Sequence, residues 1–435
     1  MVSVPKTVKD WFWPALALTA PFWPYLAISE NAAVPSLRLI LALSGLWFGL
    51  SFFRGNRGGR RMSPLFFWLG IFTLWAAGSV FWAENFSWAA RKAIYLLNFF
   101  GAAFLASWWL AGFREERLSL MKVILKAFVW SGWLVGLIGV AQFLAQFFIP
   151  GEKIFRFWVL NISPLFNGRA MSELVLDFPS WFFDFHGQPL MRAVSVFPDP
   201  HMLAFFAGMT GFLSLGIFLA ERKKRYLFGG LFLILTLILT FSRGGYLGFL
   251  AGLLFLLPFF WKRADFSFKK GIFIFGLFLL GLGVFFGGPI LGRFTSSFDL
   301  SEGSNQGRLE IWRQALDFFW EKPFLGHGLS SYPLLVDPAL NYKSPVSAHN
   351  LYLEILTELG LLGLLFFSAW FFGALKKSFR QKSNPLFLGI FSALVFFAVH
   401  SLFELPLYQP VVIFLLCFLL LFVGHCERTK KDERL

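Results

Sequence analysis

Long uninterrupted apolar blocks are the feature that most restricts the fold of this 435-residue chain. A helix that crosses the hydrocarbon core of a bilayer needs about 20 predominantly apolar residues. About twelve blocks approach this length, and each predicts one transmembrane helix. They lie at about 11–29, 37–53, 64–82, 93–111, 123–148, 201–220, 226–241, 244–261, 271–289, 351–374, 386–403 and 409–425.

The composition supports a membrane protein and excludes several other classes. Hydrophobic residues make up 57% of the chain and charged residues 14%, against roughly 25% charged in ordinary soluble proteins. A soluble enzyme and a disordered chain are therefore excluded. Cys417 and Cys426 are the two cysteines, so neither a disulfide framework nor a cysteine-based metal site is supported. Lys6 and Lys9 precede the first block as in a signal peptide, but the many later blocks favour a retained first span.

The net charge of +15 raises the question of nucleic-acid binding, and the placement of Lys and Arg answers it. With the N-terminus inside, 25 of the 39 basic residues fall on the cytoplasmic side, 13 fall outside and Lys126 lies within a span. Cytoplasmic loops of membrane proteins carry such an excess. The charge therefore predicts the topology, with both termini cytoplasmic, and no nucleic-acid partner is expected.

The predicted topology divides the chain into membrane and outer segments. Two outer segments are long, and long loops are where function concentrates. The second contains GRLEIWRQALDFFWEKP, in which Leu309, Trp312 and Leu316 recur at the spacing of an amphipathic surface helix. The predicted divisions are 1–149 with helices one to five, 150–200 outside, 201–289 with helices six to nine, 290–350 outside with the amphipathic helix, and 351–435 with helices ten to twelve and a cytoplasmic tail.

Charged residues near the outer ends of the spans are the first functional candidates, because ionisable groups at membrane depth are costly. Arg192 precedes the sixth span, Arg243 begins the eighth, Arg308 opens the amphipathic helix and His349 precedes the tenth. Spans six, eight and ten all begin outside, so their unpaired N–H groups and positive dipole ends face the same compartment. Asp199 is a plausible N-cap of the sixth. This combination favours an anion, most naturally a phosphate or pyrophosphate.

His349 is the predicted proton-transfer residue, because an unperturbed histidine pKa near 6.5 suits general-base chemistry. Ser242, Asn350 and Glu358 are the supporting candidates beside these groups. The other histidines match no metal-binding spacing, and no phosphate-binding glycine loop occurs. Neither a metal nor a cofactor is predicted.

Each candidate also has a purely structural interpretation. Arg243 would anchor a helix end by snorkelling, and Arg192 and Arg308 would be solvated. His349 and Asn350 would form a helix cap, and Glu354 and Glu358 would complement the helix dipole. The placement of all four principal candidates on one side of the membrane favours the functional interpretation.

Three strings around the second outer segment carry a resemblance to a known family. They are FSRGGYLGFL, GRLEIWRQALDFFWEKPFLGHGLSSY and AHNLYLEILTELGLLGLLFF, in this order. Over about residues 190–370 the chain resembles the O-antigen ligase/polymerase superfamily. The resemblance implies a GT-C type membrane glycosyltransferase that takes a glycan from undecaprenyl diphosphate at the periplasmic face of the bacterial inner membrane, without a metal.

The resemblance also implies roles for individual residues. Arg243 and Arg308 would hold the donor diphosphate, Arg192 would be a further phosphate-side residue, and His349 would orient or deprotonate the acceptor hydroxyl. Attack from the opposite face would invert the anomeric centre. Family members often carry an Asn-Pro-Asn-like element where this sequence reads Pro198-Asp199-Pro200-His201, so no role is carried over to that turn.

The leading hypothesis is an O-antigen ligase with a lipid A-core acceptor. A polymerase, which uses the same donor and a second lipid-linked repeat, is the closest alternative, and a transferase with a protein acceptor is another. A polyprenyl-glycan flippase or exporter is the alternative from a different class. A carrier should place charges near the midplane on broken helices and show two related halves, whereas the candidate charges here cluster at the outer edge.

Overall fold

The structure is a computed structural model that describes residues 8–29, 32–44, 63–111, 117–177, 180–185, 187–263, 303–340 and 346–425. These residues are mostly helical, in agreement with the predicted helical membrane architecture. Several predicted features lie outside the described residues. They are the span at 271–289, the later part of the span at 37–53, residues 290–302 of the second outer segment, and the tail after residue 425.

Helices follow one another along both halves of the described chain. The first half contains α1 (Val8–Thr19), α2 (36–44 as far as it is described), α3 (Pro64–Gly78), α4 (Phe86–Ala111) and α5 (Arg117–Ala145). The predicted outer segment 150–200 contains α6 (Gly151–Phe157), α7 (Ser163–Asn167) and α8 (Arg169–Asp177). The second half contains α9 (Pro200–Glu221), α10 (Lys224–Ile238), α11 (Arg243–Arg263), α12 (Gly303–Glu321), α13 (Tyr332–Val336), α14 (Leu351–Arg380), α15 (Pro385–His400) and α16 (Pro410–His425).

Two short antiparallel hairpins accompany the helices in the described residues, and the fold remains that of the predicted all-α membrane protein. Strand β1 (Tyr25–Ser29) pairs with β2 (Ala32–Pro35), and β3 (Phe182–Phe185) pairs with β4 (Gln188–Met191). Strand β1 falls within the helix that was predicted over 11–29. Helix α1 instead ends at Thr19, and a 3₁₀ turn (Ala20–Phe22) and Pro24, which lacks the N–H that a continuing helix requires, precede β1.

Four helices in the described part of the chain are long and apolar enough to cross a membrane. They are Pro64–Trp82, Ser119–Ala145, Pro200–Glu221 and Leu351–Arg380. Arg243–Phe259, Pro385–His400 and Pro410–His425 are shorter apolar helices. These helices support a multi-pass membrane protein, while the total of about twelve spans stays a prediction.

Helix α9 lies at the centre of the second half, and its apolar stretch is buried within the protein. It packs against α5, α10, α11 and α15, and α11 also packs against α15. Gly216 and Gly389 let the backbones of α9 and α15 touch, since a Cβ on Gly216 would lie 2.8 Å from the Cα of Gly389. Small residues permit such close helix contacts in membrane proteins. The packing holds the ends of α9, α11 and α15 next to one another.

Helix α14 is broken at Gly360, whose φ of 68° is in the left-handed region. The segment Pro323–Gly328 inserts at the break and satisfies the backbone groups that the helix leaves unpaired. With the donor named first, these hydrogen bonds run from His327 to Thr357, Gly328 to Glu358, Leu361 to Pro323 and Leu362 to Phe324. A Cβ on Gly360 would overlap the Phe324 carbonyl oxygen, so only glycine fits. The break therefore joins the GHG turn to the ELGLLG string of α14.

Candidate functional site

The N-termini of α9, α11 and α14 meet at one end of the helix bundle, as their predicted common orientation requires. Each begins with a capping side chain, namely Asp199, Ser242 and Asn350. Their oxygen atoms accept backbone N–H groups from His201 and Met202 (2.7 and 2.9 Å), from Gly245 (3.2 Å), and from Tyr352 and Leu353 (3.0 and 3.2 Å) respectively. The predicted N-cap role of Asp199 is confirmed.

Glu404, which follows α15, is the centre of the site. Its Oε1 lies 3.2 Å from Nη2 of Arg308 and 3.6 Å from Nε2 of His201, and its Oε2 lies 3.4 Å from Nδ1 of His349. We call these four residues the Glu404 cluster. Burial alone would raise the pKa of Glu404, but His201, His349 and Arg308 outweigh burial and lower this pKa to about 2. The carboxylate is therefore anionic at neutral pH.

His349 has the least ordinary backbone of the cluster. Its φ of 45° is in the left-handed region, which non-glycine residues occupy mainly where the surrounding structure requires it. Its side chain is 40% exposed, so a ligand can reach the ring. The hydrogen bond to Glu404 raises the pKa of His349 against the opposing effect of burial. With Nδ1 donating to the carboxylate, Nε2 is the nitrogen left to accept a proton.

A second chain of contacts links Glu404 to the start of α11. The Oγ of Ser242 lies 2.9 Å from Nδ1 of His201 and 3.2 Å from Nε2 of His400. His201 in turn reaches Glu404, so Ser242 belongs to the same polar group as His349. Arg243 directly follows Ser242, opens α11 and is only 8% exposed.

Arg192 lies beside this turn and contacts backbone. Its guanidinium donates to the carbonyl oxygens of Thr240, Ser180 and Phe241 at 2.7, 3.1 and 3.3 Å. Two of these carbonyls belong to the turn that immediately precedes Ser242. Phe241 has a φ of 49°, so Arg192 holds a turn whose backbone is in the left-handed region. The structure therefore brings all four predicted site residues to one region, with Arg192 at its margin.

The two remaining supporting candidates have defined contacts of their own. Asn350 caps α14, as its structural interpretation anticipated. Glu358 is 2% exposed and its Oε2 lies 2.7 Å from Nζ of Lys92, so it faces the interior and not the Glu404 cluster.

Sequence reasoning missed Glu404, His201 and His400. Glu404 is an acidic residue at the outer end of an apolar block, and the criterion of charge at a membrane edge would have found it had it been applied to acids as well as bases. The histidines carried no comparable signal. His201 and His400 are about 200 residues apart, and only the packing of α9 against α15 joins them.

This arrangement, apolar helices with a charged polar site at one end of the bundle, defines a polytopic membrane protein with a candidate anion-binding centre. Residues 228–368 match the family model described as O-antigen ligase. The predicted resemblance to this family is confirmed over that region. It contains Arg243, Arg308 and His349, whereas Arg192 and Glu404 lie outside it.

Three relatives match parts of the chain. A predicted polysaccharide ligase of Rickettsia conorii is 28% identical over 207 residues, which are 42% of this chain and 48% of that protein. A protein of the same name from Rickettsia felis is 25% identical over 223 residues, 46% and 52% of the two chains. An O-antigen ligase of Pseudomonas aeruginosa is 30% identical over 140 residues, 30% and 32% of the two chains. The chain thus spans about half the length of the Rickettsia relatives, and less of the third.

Proposed function

We propose that the protein is an O-antigen ligase that transfers a polysaccharide from undecaprenyl diphosphate to lipid A-core oligosaccharide. The observation that carries the proposal is the exposed His349, hydrogen-bonded to an anionic Glu404 that also binds Arg308. The family match and the ligase names of the relatives support transfer in general. The donor and the acceptor follow from the family resemblance.

His349 acts in this proposal as the general base. The acceptor hydroxyl oxygen attacks the anomeric carbon, its proton passes to Nε2 of His349, and the bond from that carbon to the diphosphate oxygen breaks. The bonding electrons leave with the diphosphate, and because the hydroxyl attacks from the opposite face, the anomeric centre is inverted. Glu404 stabilises the imidazolium that forms, and a positioned base of this kind contributes about 10²- to 10⁴-fold to the rate.

Arg243 and Arg308 bind the donor diphosphate. Cleavage moves negative charge onto the diphosphate, where guanidinium groups and the N-terminal N–H groups of α11 stabilise it. This stabilisation needs no metal. Arg192 acts on the phosphate side through the turn that carries Ser242 and Arg243, since its guanidinium donates to the carbonyls of Thr240 and Phe241.

The proposed location is the bacterial inner membrane, with the site at the periplasmic face. The excess of Lys and Arg assigned to the cytoplasmic side supports this orientation. Helices α9, α11 and α14 then begin outside and present their N-termini to the donor headgroup.

Reconstitution tests the proposal. Purified protein in liposomes is mixed with undecaprenyl-diphosphate-linked polysaccharide and lipid A-core, and the products are separated by gel. Polysaccharide attached to lipid A-core is the expected result. Extension of the lipid-linked chain instead would assign the protein as a polymerase, and movement of the donor between leaflets without any new glycosidic bond would assign it as a flippase.

Deletion in the source organism gives an independent measurement. Loss of every capped lipopolysaccharide, with long chains still lipid-linked, is the result expected for a ligase. Cores capped with a single repeat would indicate a polymerase, and an unchanged lipopolysaccharide pattern would refute both assignments.

A further inference from the structure

A second group of charged residues joins α4 to α14. Nζ of Lys92, on α4, lies 3.3 Å from Oε1 of Glu354 and 2.7 Å from Oε2 of Glu358, both on α14. The hydroxyl of Tyr408 donates to Oε1 of Glu354 at 2.6 Å, and Nζ of Lys92 lies 4.3 Å from the centre of the Tyr408 ring. We call these four residues the Lys92 cluster. It shares no residue with the Glu404 cluster.

Glu354 connects the Lys92 cluster to the backbone of the candidate base. Its Oε2 accepts the N–H of Ala348 at 3.2 Å, and Ala348 is fully buried directly before His349. On the other side, the N–H of Leu351 donates to the carbonyl of Ser401 at 2.9 Å. The left-handed backbone of His349 is therefore held from both directions. Such a conformation persists only where the surrounding structure fixes it.

One acid of the Lys92 cluster, Glu354, also acts on the charge around the imidazole of His349. The charged groups that face His349 are Glu404, Arg308 and Glu354, and the pKa of His349 is raised chiefly by Glu404, with a smaller contribution from Glu354. Glu354 is thus placed to act on both the position and the basicity of His349.

A structural role alone explains this cluster poorly. Taking charged groups out of water is expensive, and buried ion pairs can often be replaced by apolar residues of similar volume without loss of stability. Glu354 and Glu358 are 4% and 2% exposed. Their burial is accounted for if the cluster sets the geometry of a neighbouring functional group.

We infer that Glu354, held by Lys92 and Tyr408, is a positioning residue for His349. It fixes the backbone at Ala348, the residue before the base, by accepting the Ala348 N–H, and it supplies negative charge near the imidazole. This inference rests on the proposed function. Lys92 lies well outside the matched region 228–368, so the inference gives the first half of the chain a direct part in the site.

Three variants test the inference in full-length protein reconstituted with donor and acceptor. Glu354→Ala removes both the acceptor for Ala348 and the charge, and it is expected to lower kcat roughly 10²-fold, as small displacements of a reacting group do. Glu354→Gln keeps an oxygen that can accept the Ala348 N–H, so it is expected to lower kcat by less than tenfold. The acid limb of its pH–rate profile is expected to move to lower pH. Lys92→Met is expected to lower kcat and leave the KM for the donor unchanged.

Lys126→Met is the matched control. Nζ of Lys126 lies 2.5 Å from Oε1 of Glu221, so this variant also removes a lysine from a Lys–Glu pair between helices. Neither residue belongs to the Glu404 cluster or the Lys92 cluster. Unchanged kcat and an unchanged pH profile are expected for this variant.

Titration of ¹⁵N-labelled histidine in the intact protein gives a readout that needs no substrate. The His349 signal is identified by its loss in His349→Gln. Its pKa is expected to be lower in Glu354→Gln than in the wild type and unchanged in Lys126→Met. An unchanged pKa in Glu354→Gln, with activity lost only in proportion to folded protein, would overturn the inference. If the wild type transfers no glycan, the proposed function fails and the titration still decides this inference.

Discussion

The Glu404 cluster and the Lys92 cluster are opposite in the sign of the group at their centre, and the central groups' partners differ in access. In the first, one carboxylate faces an arginine and two histidines, and the side chains of Arg308 and His349 are 20% and 40% exposed. In the second, one lysine faces two carboxyl groups, and the side chain of Lys92 is 10% exposed. His349 lies in the first cluster, and the N–H of Ala348, the residue before it, contacts Glu354 of the second.

The difference suits the Glu404 cluster to binding a ligand and the Lys92 cluster to positioning the backbone. An accessible group in which Arg308 lies beside the N-termini of three helices suits a negatively charged ligand. The buried carboxyl groups of Glu354 and Glu358, paired with Lys92, are suited to fixing the backbone beside them. The two clusters together therefore describe a reactive histidine that is reached from one side and supported from the other.

Loss of the base in the Glu404 cluster should have the largest effect on the transfer rate. His349→Ala is expected to lower the transfer rate about 10²- to 10⁴-fold, the usual contribution of a positioned general base. The reconstituted ligation assay measures it. His425→Gln is the control, because His425 lies outside both clusters and its Nε2 is 3.1 Å from Ser107 Oγ. Transfer by His349→Ala at the rate of the control would remove His349 from the mechanism.

Removal of the charge at the centre of the open cluster should have the next largest effect. Glu404→Gln is expected to lower transfer at neutral pH by roughly 10- to 100-fold, the range for loss of a charged hydrogen-bond partner. The hydrogen bond to Glu404 raises the pKa of His349, so its loss should lower that pKa. Because the neutral imidazole is the active form, the acid limb of the pH–rate profile should move to lower pH. A limb that stays in place or moves to higher pH would contradict the link between the two residues.

Substitution of the buried arginine should separate donor binding from the base. Arg243→Ala is expected to lower kcat/KM for the donor roughly tenfold or more, and Arg243→Lys less, because a charge is kept while the planar fork is lost. Donor titrations of the three proteins measure the difference. Arg156→Ala is the control, since Arg156 is an exposed arginine paired with Glu152. Equal donor kinetics in wild type, Arg243→Ala and Arg243→Lys would assign Arg243 to helix anchoring.

Substitution of the glycine at the helix break should affect the stability of the protein more than the transfer rate. Gly360→Ala is expected to destabilise the protein by about 1–3 kcal/mol or more, because alanine is strained at this φ and its Cβ would overlap Phe324. Thermal unfolding in detergent measures the change. Gly101→Ala is the control, since no atom lies within 4 Å of the added Cβ in α4. Its Tm should stay the same or rise.

Chelation should have the smallest effect. Transfer by the purified protein is expected to continue unchanged in EDTA, because the proposed charge stabilisation comes from Arg243, Arg308 and helix N-termini. Loss of activity in EDTA, restored by an added divalent cation, would contradict the arginine-based account.

Apolar length and cap chemistry made much of the fold predictable. The span predicted at 201–220 matches α9 (Pro200–Glu221), and Asp199 caps it as expected. The break at Gly360 was not predictable, since a glycine in an apolar block does not reveal which segment fills the gap. The hairpin after α1 was missed because hydropathy counts apolar residues and ignores the prolines that end the helix.

The candidate site was predictable as a set of helix ends and not as a set of contacts. His349 and Arg308 were found because ionisable groups near the ends of membrane spans were taken as the first functional candidates. The contact of both residues with Glu404 was missed, because no local pattern joins residue 404 to residue 308. That contact depends on which helices pack together, and one sequence does not contain this information.

The break in α14 has a consequence for how chain length can vary among related proteins. The segment Pro323–Gly328 exchanges four hydrogen bonds with the broken helix, so one inserted residue there would mispair donors and acceptors across the break. Alignments of relatives should therefore show a constant count of residues from Pro323 to Gly328.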